Sequence, residues 1–147
     1  MFFCRGVIES VKKLGWSPDV IHCNGWMASF LPMYLNKFYH DDPIFEKTKI
    51  VYSFYNHTFE GKLNKDLAKK MKFDGFTDEE VSGFETADHK KLMETAIKYS
   101  NAVVKGSAEL SEEVKTMIDA SKLPTLEFTD GEYKEQYKPF YESLFDD

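Results

Sequence analysis

Four short runs rich in β-branched and aromatic residues, at 20–23, 49–55, 102–105 and 125–128, alternate with segments whose apolar residues recur every three or four positions. That alternation restricts the fold more than any other feature. Strand, helix and strand in succession imply crossover connections, right-handed by rule, and hence a mostly parallel sheet covered by helices. The expected class is therefore α/β, with a sheet of about four strands flanked by helices in a single domain spanning 1–147. A chain of this length buries an adequate core without disulfide or metal staples.

The helical segments can be placed by their punctuation. Val7, Ile8, Val11 and Leu14 share one face of a helix over 2–14 that stops at Gly15. Ser17-Pro18-Asp19 is turn chemistry, and the strand after it closes at Asn24-Gly25. Met27, Phe30, Leu31, Tyr34, Leu35 and Phe38 then predict a helix directly after the turn, bent at Pro32. The second strand ends at Asn56-His57. A polar middle follows, the most mobile part by composition, with a short helix through Leu63, Leu67 and Met71 and a capping-box pattern from Thr77 to Glu80. Leu92, Met93, Ala96 and Ile97 mark the next helix, and Gly106-Ser107 ends the third strand. Leu110, Val114, Met117 and Ile118 form another helix. Tyr133, Tyr137, Phe140, Tyr141 and Leu144 form the last, interrupted by Pro139.

Composition narrows the partners. A formal net charge of -6 and a pI near 5.3 argue against nucleic acid and against an anionic membrane surface. No apolar run reaches the ~20 residues that span a bilayer, and the first residues lack the pattern of a signal peptide. Cys4 and Cys23 fit no metal spacing and no disulfide framework, and Cys23 lies in an apolar strand, so the expected setting is a reducing cytoplasm. His22, His57 and His89 have no zinc spacing, and His40-Asp41-Asp42 reads as a solvated turn; no metal and no cofactor is expected.

A parallel sheet presents its ligand site beyond the carboxyl ends of its strands. That rule puts Asn24-Gly25-Trp26, Asn56-His57 and Gly106-Ser107 along one rim. Asn24 both donates and accepts hydrogen bonds, and Gly25 lets a ligand approach the backbone, which suits a sugar hydroxyl or a phosphate. The plain alternative is that Asn-Gly makes the turn and Trp26 packs. His22 similarly reads as a satisfied core histidine, and Ser107 as a cap or turn residue outside any nucleophile elbow. Asp78-Glu79-Glu80 reads as helix-start carboxylates. Neither a P-loop nor Gly-x-Gly-x-x-Gly occurs.

Three blocks in order, "PDVIHCNGWMASFLPMYL" (18–35), "KIVYSFYNHTFEGKL" (49–63) and "LMETAIKYSNAVVKGSAELSEEV" (92–114), resemble the glycogen and starch synthases of glycosyltransferase family 5. The resemblance covers about residues 7–114 and implies a Rossmann-like portion of the amino-terminal half of a GT-B glucosyltransferase. Such enzymes move glucose from ADP-glucose or UDP-glucose to an α-1,4-glucan, in a cleft between two halves. It further implies that the Lys-x-Gly-Gly donor loop and the carboxyl-terminal domain are absent from this sequence. Three motif positions depart from the family: Gly25 stands where an aspartate is usual, and Met27 and Tyr55 where histidines are.

By this resemblance His22, Asn24, Trp26, Asn56 and Ser107 are expected as substrate-binding or structural positions, with no catalytic residue, and Gly25 joins them by its place at the strand end. The resulting expectation is a fragment or truncated form of a glycogen/starch synthase, inactive alone, whose partners are α-glucan and a nucleotide sugar in an intact relative. The rival is a noncatalytic glucan- or sugar-binding accessory module. An acidic receiver domain fits less well, since its first strand would end in carboxylates rather than Asn24-Gly25. A sheet missing neighbouring strands also predicts an unprotected edge and self-association through it.

Overall fold

The computed structural model describes residues 1–131 and 133–146. Helix α1 (Phe2–Lys13) leads into β1 (Val20–Asn24), a single 3-10 turn (Trp26–Ala28) and α2 (Leu31–Phe38). Strand β2 (Lys49–Phe54) is followed by α3 (Leu67–Asp74) and α4 (His89–Lys98). Then come β3 (Ala102–Lys105), α5 (Glu112–Ser121), β4 (Thr125–Leu126) and α6 (Tyr133–Ser143). The strands lie in the order β1-β2-β3-β4, and every neighbouring pair is parallel. The α/β class and the four-stranded parallel sheet expected from the alternation are both present.

The two faces of the sheet are filled very differently. Side chains alternate along a strand, so Ile50, Tyr52 and Phe54 of β2 point one way and Val51 and Ser53 the other. The first face meets the large core, which takes in Cys4 and Ile8 of α1, Tyr34 and Leu35 of α2, Leu92 and Ala96 of α4, and Val114 and Ile118 of α5. The second face carries only Val51, Ala102 and Val104, roofed by Tyr137, Phe140, Tyr141 and Leu144 of α6. No described residue of α6 is fully buried, so this helix is held by half-buried aromatic contacts and by polar bonds reaching into the sheet.

His22 supplies those bonds. One ring nitrogen lies 2.6 Å from Ser53 Oγ on β2 and the other 2.5 Å from the Tyr141 hydroxyl on α6. The imidazole also packs edge-on against Tyr141 and tilted against Tyr137. Burial holds its pKa at about 4, so the ring is neutral and bridges strand to helix, its hydrogen bonds satisfied as the sequence suggested but its position half-buried and not in the core. Both cysteines are reduced and buried, and burial pushes the Cys23 thiol up to about 12.

Several boundaries differ from expectation for local reasons. Pro32 occupies the first turn of α2, where its missing N–H costs nothing, so it starts that helix rather than bending it. The helix after Asn24-Gly25 accordingly begins at Leu31, and the 3-10 turn fills the gap. Leu63 lies outside α3. The Thr77–Glu80 capping box forms, with Thr77 N–H donating to Glu80 at 2.8 Å and Glu80 N–H to Thr77 Oγ1 at 3.3 Å, but it opens a run of turns instead of a helix. The polar middle inserts Phe76, Val81 and Phe84 into the core. Ser111, not Ser107, caps α5 through Val114 N–H. Pro139 sits inside α6 without ending it, and β4 is two residues shorter than the run that suggested it.

The His22 bridge makes stability pH-dependent. The unfolded chain takes up this proton below about pH 6.5 and the fold only near pH 4, so the contribution is complete above pH 6.5 and is lost as pH falls toward 4. Between pH 7.5 and 5, above the range where carboxylates protonate, urea unfolding should show a loss on the order of 1 kcal/mol. His22→Gln should flatten that slope; equal slopes in the two proteins would show that the imidazole is not held neutral by the fold.

Candidate functional site

The carboxyl ends of β1, β2 and β3 meet in a short polar rim. Residue Tyr55, just past β2, donates its hydroxyl to Asn24 Oδ1 at the end of β1, 2.8 Å away. The backbone N–H of Asn56 donates to Ser107 Oγ beyond β3 at 3.1 Å, and Gly106 N–H donates to the Phe54 carbonyl at 2.7 Å. The parallel register sets this up, since Asn24 pairs with Ser53 and Phe54 with Lys105. Tyr52 fixes the turn from below, donating its hydroxyl to the Gly25 carbonyl at 2.7 Å. Gly25 has φ +74°, a left-handed backbone that favours glycine.

Gly106 is needed for a second reason. A Cβ there would stand 2.5 Å from the Tyr55 ring, well inside contact distance. Only glycine lets that ring lie across the rim and reach Asn24.

The Tyr55–Asn24 bond divides two openings. One, of about 310 Å3, lies toward the helices of the large core and is lined by Trp26, Met27, His57, His89 and Met93. Trp26 is 37% exposed there, its indole tilted against Phe59 at 5.0 Å between ring centres, and Phe59 in turn packs edge-on against His89. The other, of about 380 Å3, lies toward α6 and is lined by His22, Lys105, Phe128, Thr129, Tyr133 and Tyr137. Among the described residues the only lysine or arginine lining either opening is Lys105, and its ammonium is paired with Glu127 at 2.9 Å. The rim therefore offers aromatic faces, amide and hydroxyl groups and the Lys105–Glu127 ion pair. Among the described residues no group of three His, Cys, Asp or Glu side chains could hold a metal ion, and no helix is long and apolar enough to cross a membrane.

The expected positions separate into lining and tying residues. Asn24 faces both openings, His22 the α6 side, and Gly25 and Trp26 the core side. Asn56 and Ser107 line neither opening and tie the β2 and β3 loops together. Tyr55 as the bridge, and the wall of Tyr133, Tyr137 and Phe128, were not legible as site residues. The available sign was the pairing of a glycine straight after β3 with an aromatic residue straight after β2.

Similarity to known proteins follows the same residues. A family described as the starch synthase catalytic domain matches residues 1–126. Glycogen synthases from Desulforudis audaxviator and Clostridium perfringens are 29% and 30% identical over 78% of this chain, covering 23% and 24% of their own lengths. That from Thermotoga maritima is 30% identical over 84% of this chain and 25% of its own length. The chain thus spans about a quarter of the length of these curated relatives. A solved structure, the catalytic domain of starch synthase IV from Arabidopsis thaliana bound to ADP and acarbose, superposes with a TM-score of 0.64 at 16% identity, over 92% of this chain and 30% of that one. That likeness carries the GT-B fold. By its parallel sheet, its three motif blocks and the family match over 1–126, the chain belongs to the starch synthase catalytic domain family.

Proposed function

We propose that residues 1–147 form a single partial Rossmann-like domain that supplies the sugar-binding rim of a glycogen/starch-synthase-type glucosyltransferase. Its ligands are an α-1,4-glucan and the glucosyl group of a nucleotide sugar, and its setting is the cytoplasm. The observation that carries this reading is the Tyr55–Asn24 bridge, with an aromatic opening on each side, at the carboxyl ends of three parallel strands. Sugars suit such a surface because their apolar ring faces lie on aromatic side chains while hydroxyls pair with neutral donors and acceptors. His22, Asn24, Gly25 and Trp26 contribute to the walls, while Asn56 and Ser107 hold the loops in place.

The same rim explains why this chain alone should bind without transferring. Glucosyl transfer needs positive groups where charge builds on the departing diphosphate, and Lys105 is engaged by Glu127. The neutral His22 has both nitrogens occupied and adds no charge. Met27, 67% exposed beside the core-side opening, has a thioether with no proton to give. The chain on its own is then a sugar-binding module.

Two measurements test this. Incubated with labelled ADP-glucose or UDP-glucose and glycogen, the purified chain should incorporate no label above blank; incorporation would overturn the assignment of silence. Calorimetric titration with maltooligosaccharides should show binding that weakens about 3- to 10-fold in Asn24→Ala and Gly106→Ala, the loss of one or two neutral hydrogen bonds. Melting temperatures control for folding. No heat with any oligosaccharide, or equal affinity in stably folded variants, would remove the rim from the binding site.

A further inference from the structure

Asn24-Gly25 is the one Asn-Gly pair in the sequence, and it stands at the lip of the rim. An asparagine carries its amide carbon within reach of the next residue's backbone nitrogen, at the distance that closes a five-membered ring. A following side chain crowds that approach, and glycine has none. A Cβ built on Gly25 would meet nothing within 4 Å, so the peptide is open to water. Its N–H is also loosely held. Gly106, in the matching place one residue past β3, donates to the Phe54 carbonyl at 2.7 Å, whereas Gly25 N–H forms no comparable bond among the described residues. This N–H follows those of Ile21 and Cys23 on the β2 side of the strand, so the outer flank of β1 does not decide its state. The Gly25 carbonyl, by contrast, is fixed by the Tyr52 hydroxyl at 2.7 Å and by Ala28 N–H at 3.1 Å.

Two hydrogen bonds hold the Asn24 amide away from that nitrogen. The Tyr55 hydroxyl donates to Oδ1 at 2.8 Å, and Nδ2 donates to the His22 carbonyl at 3.3 Å. The second bond turns the side chain back along β1, so the ring closes only when the amide lets go and swings toward Gly25. At 3.3 Å that bond is long, which leaves Tyr55 as the firmer hold. Asp74-Gly75 shows the closed case. Both carboxylate oxygens are taken, by Arg5 at 3.0 Å and by the Tyr34 hydroxyl, and Gly75 N–H donates to the Lys72 carbonyl at 3.0 Å.

We propose that Asn24 is a site of spontaneous deamidation, with the Tyr55 hydroxyl as its brake. Solvent base removes the Gly25 N–H proton, and the nitrogen attacks Asn24 Cγ, forming a new C–N bond. The tetrahedral centre expels Nδ2, which takes up one proton from water and leaves as ammonia. What remains is a cyclic imide. Water then adds to one of its two carbonyls and the C–N bond there breaks. Opening at the side-chain carbonyl gives an aspartate; opening at the main-chain carbonyl gives an isoaspartate, its chain routed through the former side chain. The sum is amide plus water to acid plus ammonia, with nothing oxidised or reduced. Either acid sets a negative charge between the two openings and removes the donor to the His22 carbonyl. Isoaspartate also lengthens the main chain just ahead of the Gly25 carbonyl that Tyr52 holds. The effect on a ligand rests on the sugar-rim reading, while the chemical step does not.

The purified chain, held at mildly alkaline pH and then mapped by peptide mass spectrometry, should show the amide-to-acid mass gain at Asn24. It should appear there roughly tenfold or more faster than at Asn36, Asn56, Asn64 or Asn101, none of which precedes glycine. An enzymatic assay for isoaspartate should mark the same peptide. Tyr55→Phe should quicken the reaction about 2- to 10-fold, the loss of one neutral hydrogen bond. Gly25→Ala should slow it roughly tenfold, and Asn24→Gln, whose longer side chain would need a six-membered ring, should silence the peptide. Melting temperatures establish that each variant is folded. Affinity for maltooligosaccharides should fall about 3- to 10-fold as the modified fraction approaches the whole. A fresh chain that binds no oligosaccharide yet gains the mass at Asn24 would sink the sugar reading and uphold this one. A rate at Asn24 no faster than at the other asparagines, or one unchanged in Tyr55→Phe, would overturn the proposal.

Discussion

The ladder through β2 is the constraint on which the other features rest. Five of its six residues are buried, and it pairs on both sides, with β1 and with β3. A strand so enclosed must satisfy its backbone through neighbours in one register, because a one-residue slip would swap Ile50, Tyr52 and Phe54 with Val51 and Ser53. Each of those side chains has a separate task. Tyr52 holds the Gly25 carbonyl, Ser53 holds His22, and the chain leaving Phe54 delivers Tyr55 to Asn24. The rim is thus a consequence of strand register more than of loop design.

Unequal faces follow from the sequential strand order. Each crossover from β1 to β4 packs its helix against the same side, so the large core gathers there and the reverse side receives one helix, α6. The contact is sparse in apolar area, with a three-residue buried cluster beneath it. A neutral imidazole bonded to strand and helix adds direction to a contact that apolar burial alone would leave loosely oriented. The placement of α6 matters for chemistry, because Tyr133 and Tyr137 on its first turns form a wall of one rim opening. Residues outside the matched span 1–126 therefore shape a cavity whose floor belongs to the family.

Much of the fold was legible because strand runs and helical periods are local signals. Residues 102–105 were read without error, and the three strand ends 24, 54 and 105 converge as a parallel sheet demands. What local patterns could not show was competition between neighbours. Pro32 looks like a kink within a continuous apolar stripe, yet the turn at Gly25 consumes the residues before it and moves the proline to a helix start. The Thr77–Glu80 box satisfies its own hydrogen bonds, but the residues after it form a run of turns that sets Val81 and Phe84 into the core beside Phe76. Two-residue β4 was overestimated: the ladder with β3 ends at Leu126, and Glu127 beyond it meets Lys105 through its side chain.

The candidate site was legible as a place and less so as a set of contacts. Asn24 and Gly106 could be located from strand ends alone, while the bridge between β1 and β2 required knowing that Tyr55 crosses above Gly106. That arrangement also gives the departure at Tyr55 a physical meaning. A tyrosine is long enough to span from the end of β2 to Asn24 and flat enough to lie over a glycine. In doing so it joins two strand ends and walls both openings at once. A residue that breaks the family pattern is therefore one that organises this rim.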